Sequence, residues 1–225
     1  MTGQAAEIGE GFLARGAAVV QWYLVVDLLM VLVAAPGLVA AMLLAPAGSN
    51  APLLVLAALP VGPAVAAALY AFQVADTDRD LSPGRHFWRG LRLNTVDVLK
   101  MWVPGLAALA VIATNVALSA EAGLTRALVG ISLAVALGIV LWLANVLVIV
   151  ARFAFRTRDV ARLAVYYLFR RPVVPLAVTS LLVVAAALVV ALGEWSLLLT
   201  ASLFAAWLYR HSRTLRADVE ERFTA

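Results

Sequence analysis

A chain of 225 residues that is 64% hydrophobic and only 13% charged does not have the make-up of a soluble domain, whose charged share is about twice as large. The mean hydropathy of +0.99 excludes a soluble fold on the same ground, and the absence of cysteine excludes disulfides and thiolate metal sites. The net charge of +4 and pI near 10.0 are not read as nucleic-acid affinity, because the basic residues of membrane proteins gather on cytoplasmic loops.

Apolar runs of about 20 residues recur along the chain. Spanning barrels show a weaker alternation over about ten residues, so the runs predict helices. The predicted fold is all-α: one integral membrane domain over 1–225, a polytopic helical bundle of about six transmembrane helices with two cytoplasmic amphipathic helices.

The opening stretch MTGQAAEIGEGF is acidic and lacks the basic start of a secretory signal, so the N-terminus is predicted to be retained. The first span covers about 17–44 and holds Asp27, the one acid placed inside a span. An intramembrane carboxylate is costly and marks a candidate functional site. Two readings stay open for it: structural pairing with Asn145 of the fourth span or with Arg152, or a proton or ligand role.

The second span, about 52–72, carries Pro60, Gly62 and Pro63 near its middle. Pro60 has no N–H for the carbonyl of Leu56, and Pro63 has none for that of Leu59. Carbonyls freed at this depth need neighbouring helices, water or a ligand. In one reading the kink shapes the bundle, with Gly62, Ala64, Ala66, Ala67 and Ala68 admitting a close neighbour. In another the break is that of a transporter's discontinuous helix, with open carbonyls lining a midplane site. A shallow re-entrant bend is the third.

The loop over about 73–100 is basic. Ser82 can cap a helix with Pro83 in its first position. Phe87, Leu91, Val98 and Met101 then recur at helical spacing, with Arg85, Arg89, Arg92 and Lys100 on the other faces, which predicts an amphipathic helix at the headgroup level. A third span follows at about 101–118, with Thr114 and Asn115 as interhelical contacts, and a fourth at about 127–150. The loop over about 151–172 repeats the theme, from Leu163 to Phe169 and then Arg170, Arg171 and Pro172, which marks a bend into the next span. The fifth and sixth spans cover about 173–192 and 195–209. The segment EIGEGFLARGAA reads as a shorter third copy of the helix-plus-hairpin unit. Arg85, Phe87, Trp88, Arg89, Arg92, Asn94, Arg170 and Arg171 are the candidate docking residues for a partner or for lipid.

Of the 17 Lys and Arg residues, 16 fall on the side that holds the termini and the two longer loops, and only Arg126 falls on the other. The positive-inside rule makes the first side cytoplasmic, with both termini inside.

The stretches LPVGPAVAAALY (59–70), HFWRGLRLN (86–94) and ARLAVYYLFRRPVVPLAVTSLL (161–182) together resemble the YesL family of small bacterial membrane proteins, a domain of unknown function. The matching positions are Leu59, Pro60, Gly62, Pro63, Ala64, Ala68, Leu69 and Tyr70, then Phe87, Trp88, Arg92 and Asn94, then Arg170 and Pro172. One residue, Val61, stands between Pro60 and Gly62 where that family has two. An apparent insertion lies around Gly37–Ala57, and Asp27 stands near a family asparagine. The resemblance implies the bacterial inner membrane and an accessory role in carbohydrate uptake, beside a transporter permease or its ATPase.

Catalytic equipment is missing. No second intramembrane carboxylate faces Asp27, both histidines, His86 and His211, fall in loop segments, and no phosphate or dinucleotide loop occurs. The expectation is a protein that is not an enzyme and holds no cofactor or metal. It would be an accessory or scaffold membrane protein, the alternative being a small transporter or channel that uses the broken second span and Asp27.

Overall fold

The computed structural model describes residues 12–45, 47–77, 82–153, 155–170, 172–193 and 195–223. Each apolar run of the sequence becomes helix: α1 (Phe12–Leu43), α2 (Ala51–Leu56), α3 (Val61–Thr77), α4 (Pro83–Ala117), α5 (Arg126–Val150), α6 (Thr157–Arg170), α7 (Val173–Leu192), α8 (Trp195–His211) and α9 (Arg213–Phe223). Five stretches, Gly16–Leu43, Gly48–Asp76, Pro83–Ala117, Arg126–Val150 and Val173–Leu192, are long and apolar enough to cross a membrane. The architecture is the helical bundle of a multi-pass membrane protein, as the composition predicts. The sixth predicted span corresponds to α8, whose 17 residues sit at the lower end of the length a bilayer core requires.

α3 is the hub. It packs on α1, α4, α5 and α8, and Ala64, Ala66, Ala67, Ala68 and Ala71 are all buried in those contacts. Small side chains let these helices approach closely. α3 and α4 run antiparallel, with the Trp102 ring over Gly62 and the Tyr70 side chain over Gly90. Further along α4, Gly105 lies against Leu143 of α5. A methyl at any of these three glycines would come within 3 Å of the opposing side chain.

Three sequence expectations are corrected. The amphipathic helix of the first basic loop and the third span are one continuous 35-residue helix, α4, so no boundary falls near residue 101. The reason is helical phase: Arg85, Arg89, Arg92, Val96, Lys100, Val103, Ala107 and Val111 form one exposed stripe, basic at first and apolar after. Phe87, proposed for docking, is fully buried and belongs to the core.

α6 is amphipathic as predicted, but its Val160–Ala164–Tyr167 face meets protein instead of lipid. Its partner is the end of α5, where Leu143 to Val150 are buried on every face. The stretch after the last span carries no predicted element. It folds as α9 and buries Leu215 and Val219 in the same core as Val148 and Ile149.

Candidate functional site

The two polar residues predicted inside the bundle find different partners from those expected. Asp27 is buried, and its Oδ1 accepts the backbone N–H of Ser202 in α8 at 2.7 Å. Asn145 is also fully buried, and its Nδ2 donates to the carbonyl of Ala164 in α6 at 3.2 Å, while Oδ1 has no partner among the described residues. Arg152 does not reach Asp27. It pairs with Glu220 of α9 at 2.8 Å. The predicted Asp27–Asn145 and Asp27–Arg152 pairings are therefore both replaced. The competing partners, the Ser202 main-chain N–H for Asp27 and the Glu220 carboxylate for Arg152, lie far off in sequence and carry no local signal.

The break in the second span is closed by the protein itself. Residues 57–60 tighten into turns, so that Leu59 N–H donates to the Leu56 carbonyl at 3.0 Å, replacing the donor that Pro60 lacks. The Ala58 carbonyl accepts both Val61 N–H at 3.1 Å and the indole Nε1–H of Trp102 at 3.1 Å. Gly62 leaves the room that the Trp102 ring fills. On the α1 side, Gly37 passes so close that a methyl there would overlap the Ala57 carbonyl oxygen. Pro63 is buried and Pro60 half-buried at this crossing.

Two open clefts flank the break. One, of about 400 Å³, lies among Val33, Pro36, Pro60, Pro63, Leu91 and Thr95. The hydroxyl of Thr95 donates back to the Leu91 carbonyl of its own helix. The other, of about 380 Å³, is lined by apolar side chains and Trp102, among them Val61, Leu106 and Leu143. With the Leu56 and Ala58 carbonyls at the break occupied, these apolar walls suit hydrocarbon better than a polar solute.

The sequence missed the polar network at the basic end of the bundle. Tyr209, near the end of α8, donates its hydroxyl to Asp76 of α3 at 2.7 Å. Arg216 of α9 lies 3.9 Å from the centre of the Tyr209 ring and donates to the Tyr209 carbonyl at 3.0 Å. Tyr167 of α6 donates to Asp218 of α9 at 2.9 Å. Beneath this layer Phe72 packs on Trp22, Tyr23 and Tyr209, with ring centres 4.9 to 6.1 Å apart. The sequence signal was the spacing of Leu215 and Val219 among charges, a single amphipathic turn pattern. The tertiary partners Asp76 and Tyr167 have no such signature.

The predicted docking residues divide. Arg85, Trp88, Arg89 and Arg92 are exposed and, with Leu93, line an open groove on α4. Asn94 is half-buried, with Nδ2 unpartnered among the described residues. Arg170 is exposed and lies 5.7 Å from the Tyr166 ring centre. Arg171 and the first five residues (7–11) of the proposed N-terminal copy lie outside the described residues. Among the described residues no group of three or more His, Asp or Glu side chains is placed to hold a metal ion.

Comparison with known proteins finds no matching family model, no matching curated protein and no matching solved structure.

Proposed function

We propose that this chain is an accessory or scaffold protein of the bacterial cytoplasmic membrane, with both termini inside, that serves a carbohydrate transporter. The observation that carries the reading is the internal use of Asp27 and of the Leu56 and Ala58 carbonyls at the break. Asp27 is spent on Ser202, and the carbonyls of Leu56 and Ala58 are spent on Leu59, Val61 and Trp102. A transporter needs such groups turned toward its substrate. The resemblance to the YesL family supports the bacterial setting and the link to carbohydrate uptake.

The surface for a protein partner is the outer face of α6. Arg158, Arg162, Val165, Tyr166, Phe169 and Arg170 are exposed there, Phe169 at 83%. Aromatic and arginine side chains on one face are the composition of binding hot spots. The partner is the permease or its ATPase. Purification from native membranes should bring down one of these with the chain, and Phe169→Ala with Tyr166→Ala should abolish that recovery. The competing reading, a small transporter or channel, wins if liposomes holding this chain alone show substrate-dependent flux.

A further inference from the structure

The groove on α4 is at the wrong place for a purely aqueous contact. Tyr70 covers Gly90, and Tyr70 is two residues from Phe72 on α3, the centre of the Trp22–Tyr23–Phe72–Tyr209 aromatic cluster. Gly90 thus stands near the level of the aromatic cluster, and Arg89 and Arg92 beside it are exposed. Clustered Trp and Tyr side chains are typical of the headgroup level of a membrane protein. The same exposed stripe continues from Arg92 to Val96, passes the Asp97–Lys100 ion pair, and is apolar from Val103 to Val111 without a break in the helix. A surface that is cationic at the headgroup level and apolar below it has the charge pattern of an anionic phospholipid, read in complement.

We propose that Arg89 and Arg92, with Arg85 at the rim, bind the phosphate of an anionic phospholipid. Its acyl chain would lie along Leu93, Val96 and Val103. A guanidinium donates two parallel hydrogen bonds to phosphate oxygens, which a lysine cannot match. Trp88, exposed between Arg85 and Arg89, packs on the glycerol region. The open groove holds about 590 Å³, room for a headgroup. The site is independent of any transporter partner, which the reading above assigns to α6.

The test uses the full chain in detergent, probed by native mass spectrometry and by the part of the tryptophan quenching that Trp88→Phe removes. The lipids are brominated phosphatidylglycerol and brominated phosphatidylcholine. Wild type should prefer phosphatidylglycerol by roughly twentyfold to thirtyfold, about fivefold per paired guanidinium. Arg89→Gln with Arg92→Gln should cut the preference to about twofold without moving the melting midpoint, because both side chains are exposed. Arg89→Lys with Arg92→Lys should keep part of the preference. Equal binding of the two lipids by wild type overturns the site, as does an unchanged preference in the glutamine variant. Displacement of the lipid by millimolar inorganic phosphate assigns the site to a free anion and overturns the lipid assignment. Binding of an acidic protein segment there, with no lipid preference, overturns it as well.

Discussion

The Asp27 carboxylate takes its hydrogen bond from the main chain of Ser202, in the middle of α8, and not from another side chain. This contact ties α1 to α8 at a buried level and fixes their relative depth. A buried hydrogen bond contributes about 0.5–1.5 kcal/mol, and the loss rises to about 1–3 kcal/mol when its buried donor is left unpaired. Asp27→Ala should therefore lower stability by about 1–3 kcal/mol. Asp27→Asn keeps an acceptor oxygen and should lose about half as much. Thermal unfolding of the two variants in detergent measures the difference, and equal losses would remove the bond from its structural role.

Close approach sets a second expectation, at Gly37. A methyl at Gly37 would stand 1.9 Å from the Ala57 carbonyl oxygen and 2.9 Å from the Pro60 ring. One neighbour is a backbone oxygen and the other a proline ring atom at the break, and neither can swing aside. Gly37→Ala should destabilise by about 2–3 kcal/mol, at the upper end of overpacking costs. Gly138 of α5 meets nothing within 4 Å, so Gly138→Ala gains helix propensity and should stabilise by about 0.5–1 kcal/mol. Opposite signs for the same substitution, read as shifts in melting temperature, are the outcome that checks the helix crossing.

The helices were legible because each is written as a long apolar run, and a bilayer permits little else. The kink was legible for the same local reason, since Pro60 and Pro63 announce missing donors. What closes the kink was not legible. Trp102 lies 44 residues from Ala58, and only the pairing of α3 with α4 brings the indole to the carbonyl. The basic stripe on α4 was readable from spacing, but Phe87 was misassigned, because an amphipathic helix with a protein neighbour has two apolar edges and the sequence does not say which one meets lipid. α9 escaped notice because 11 residues with Leu215 and Val219 between charges look like a solvated tail until Tyr167, Asp76 and Arg152 are found around it.

α9 makes a third prediction, concerning local stability. Leu215 is fully buried in the core shared with α5, and its truncation leaves a cavity that the short helix cannot refill. Leu215→Ala should cost about 2–4 kcal/mol. Much of that loss should appear as local opening, since a short terminal helix can detach before the bundle unfolds. Trypsin cleavage after Arg213 and Arg216 should accelerate at least about tenfold in this variant, with the rest of the bundle intact. Tyr167→Phe, which removes one hydrogen bond to Asp218, should move the same rate by less, in keeping with about 1 kcal/mol.

Orientation is the most exposed premise of the proposed partner surface, and the chain offers a clean way to test it. It has no cysteine, so single cysteines can be placed without background. Ala120 is exposed in the turn that joins α4 to α5, and Thr214 is exposed at the start of α9. These positions lie at opposite ends of the bundle, because α4 leads to one end and the α8–α9 junction to the other. A membrane-impermeant maleimide should label Ala120→Cys in intact cells and reach Thr214→Cys only after permeabilisation. The reverse pattern would place Phe169 and Arg170 outside the cell. An ATPase works in the cytoplasm, so that result would leave the α6 face without the partner assigned to it, while the lipid groove on α4 would move to the other leaflet and keep its chemistry.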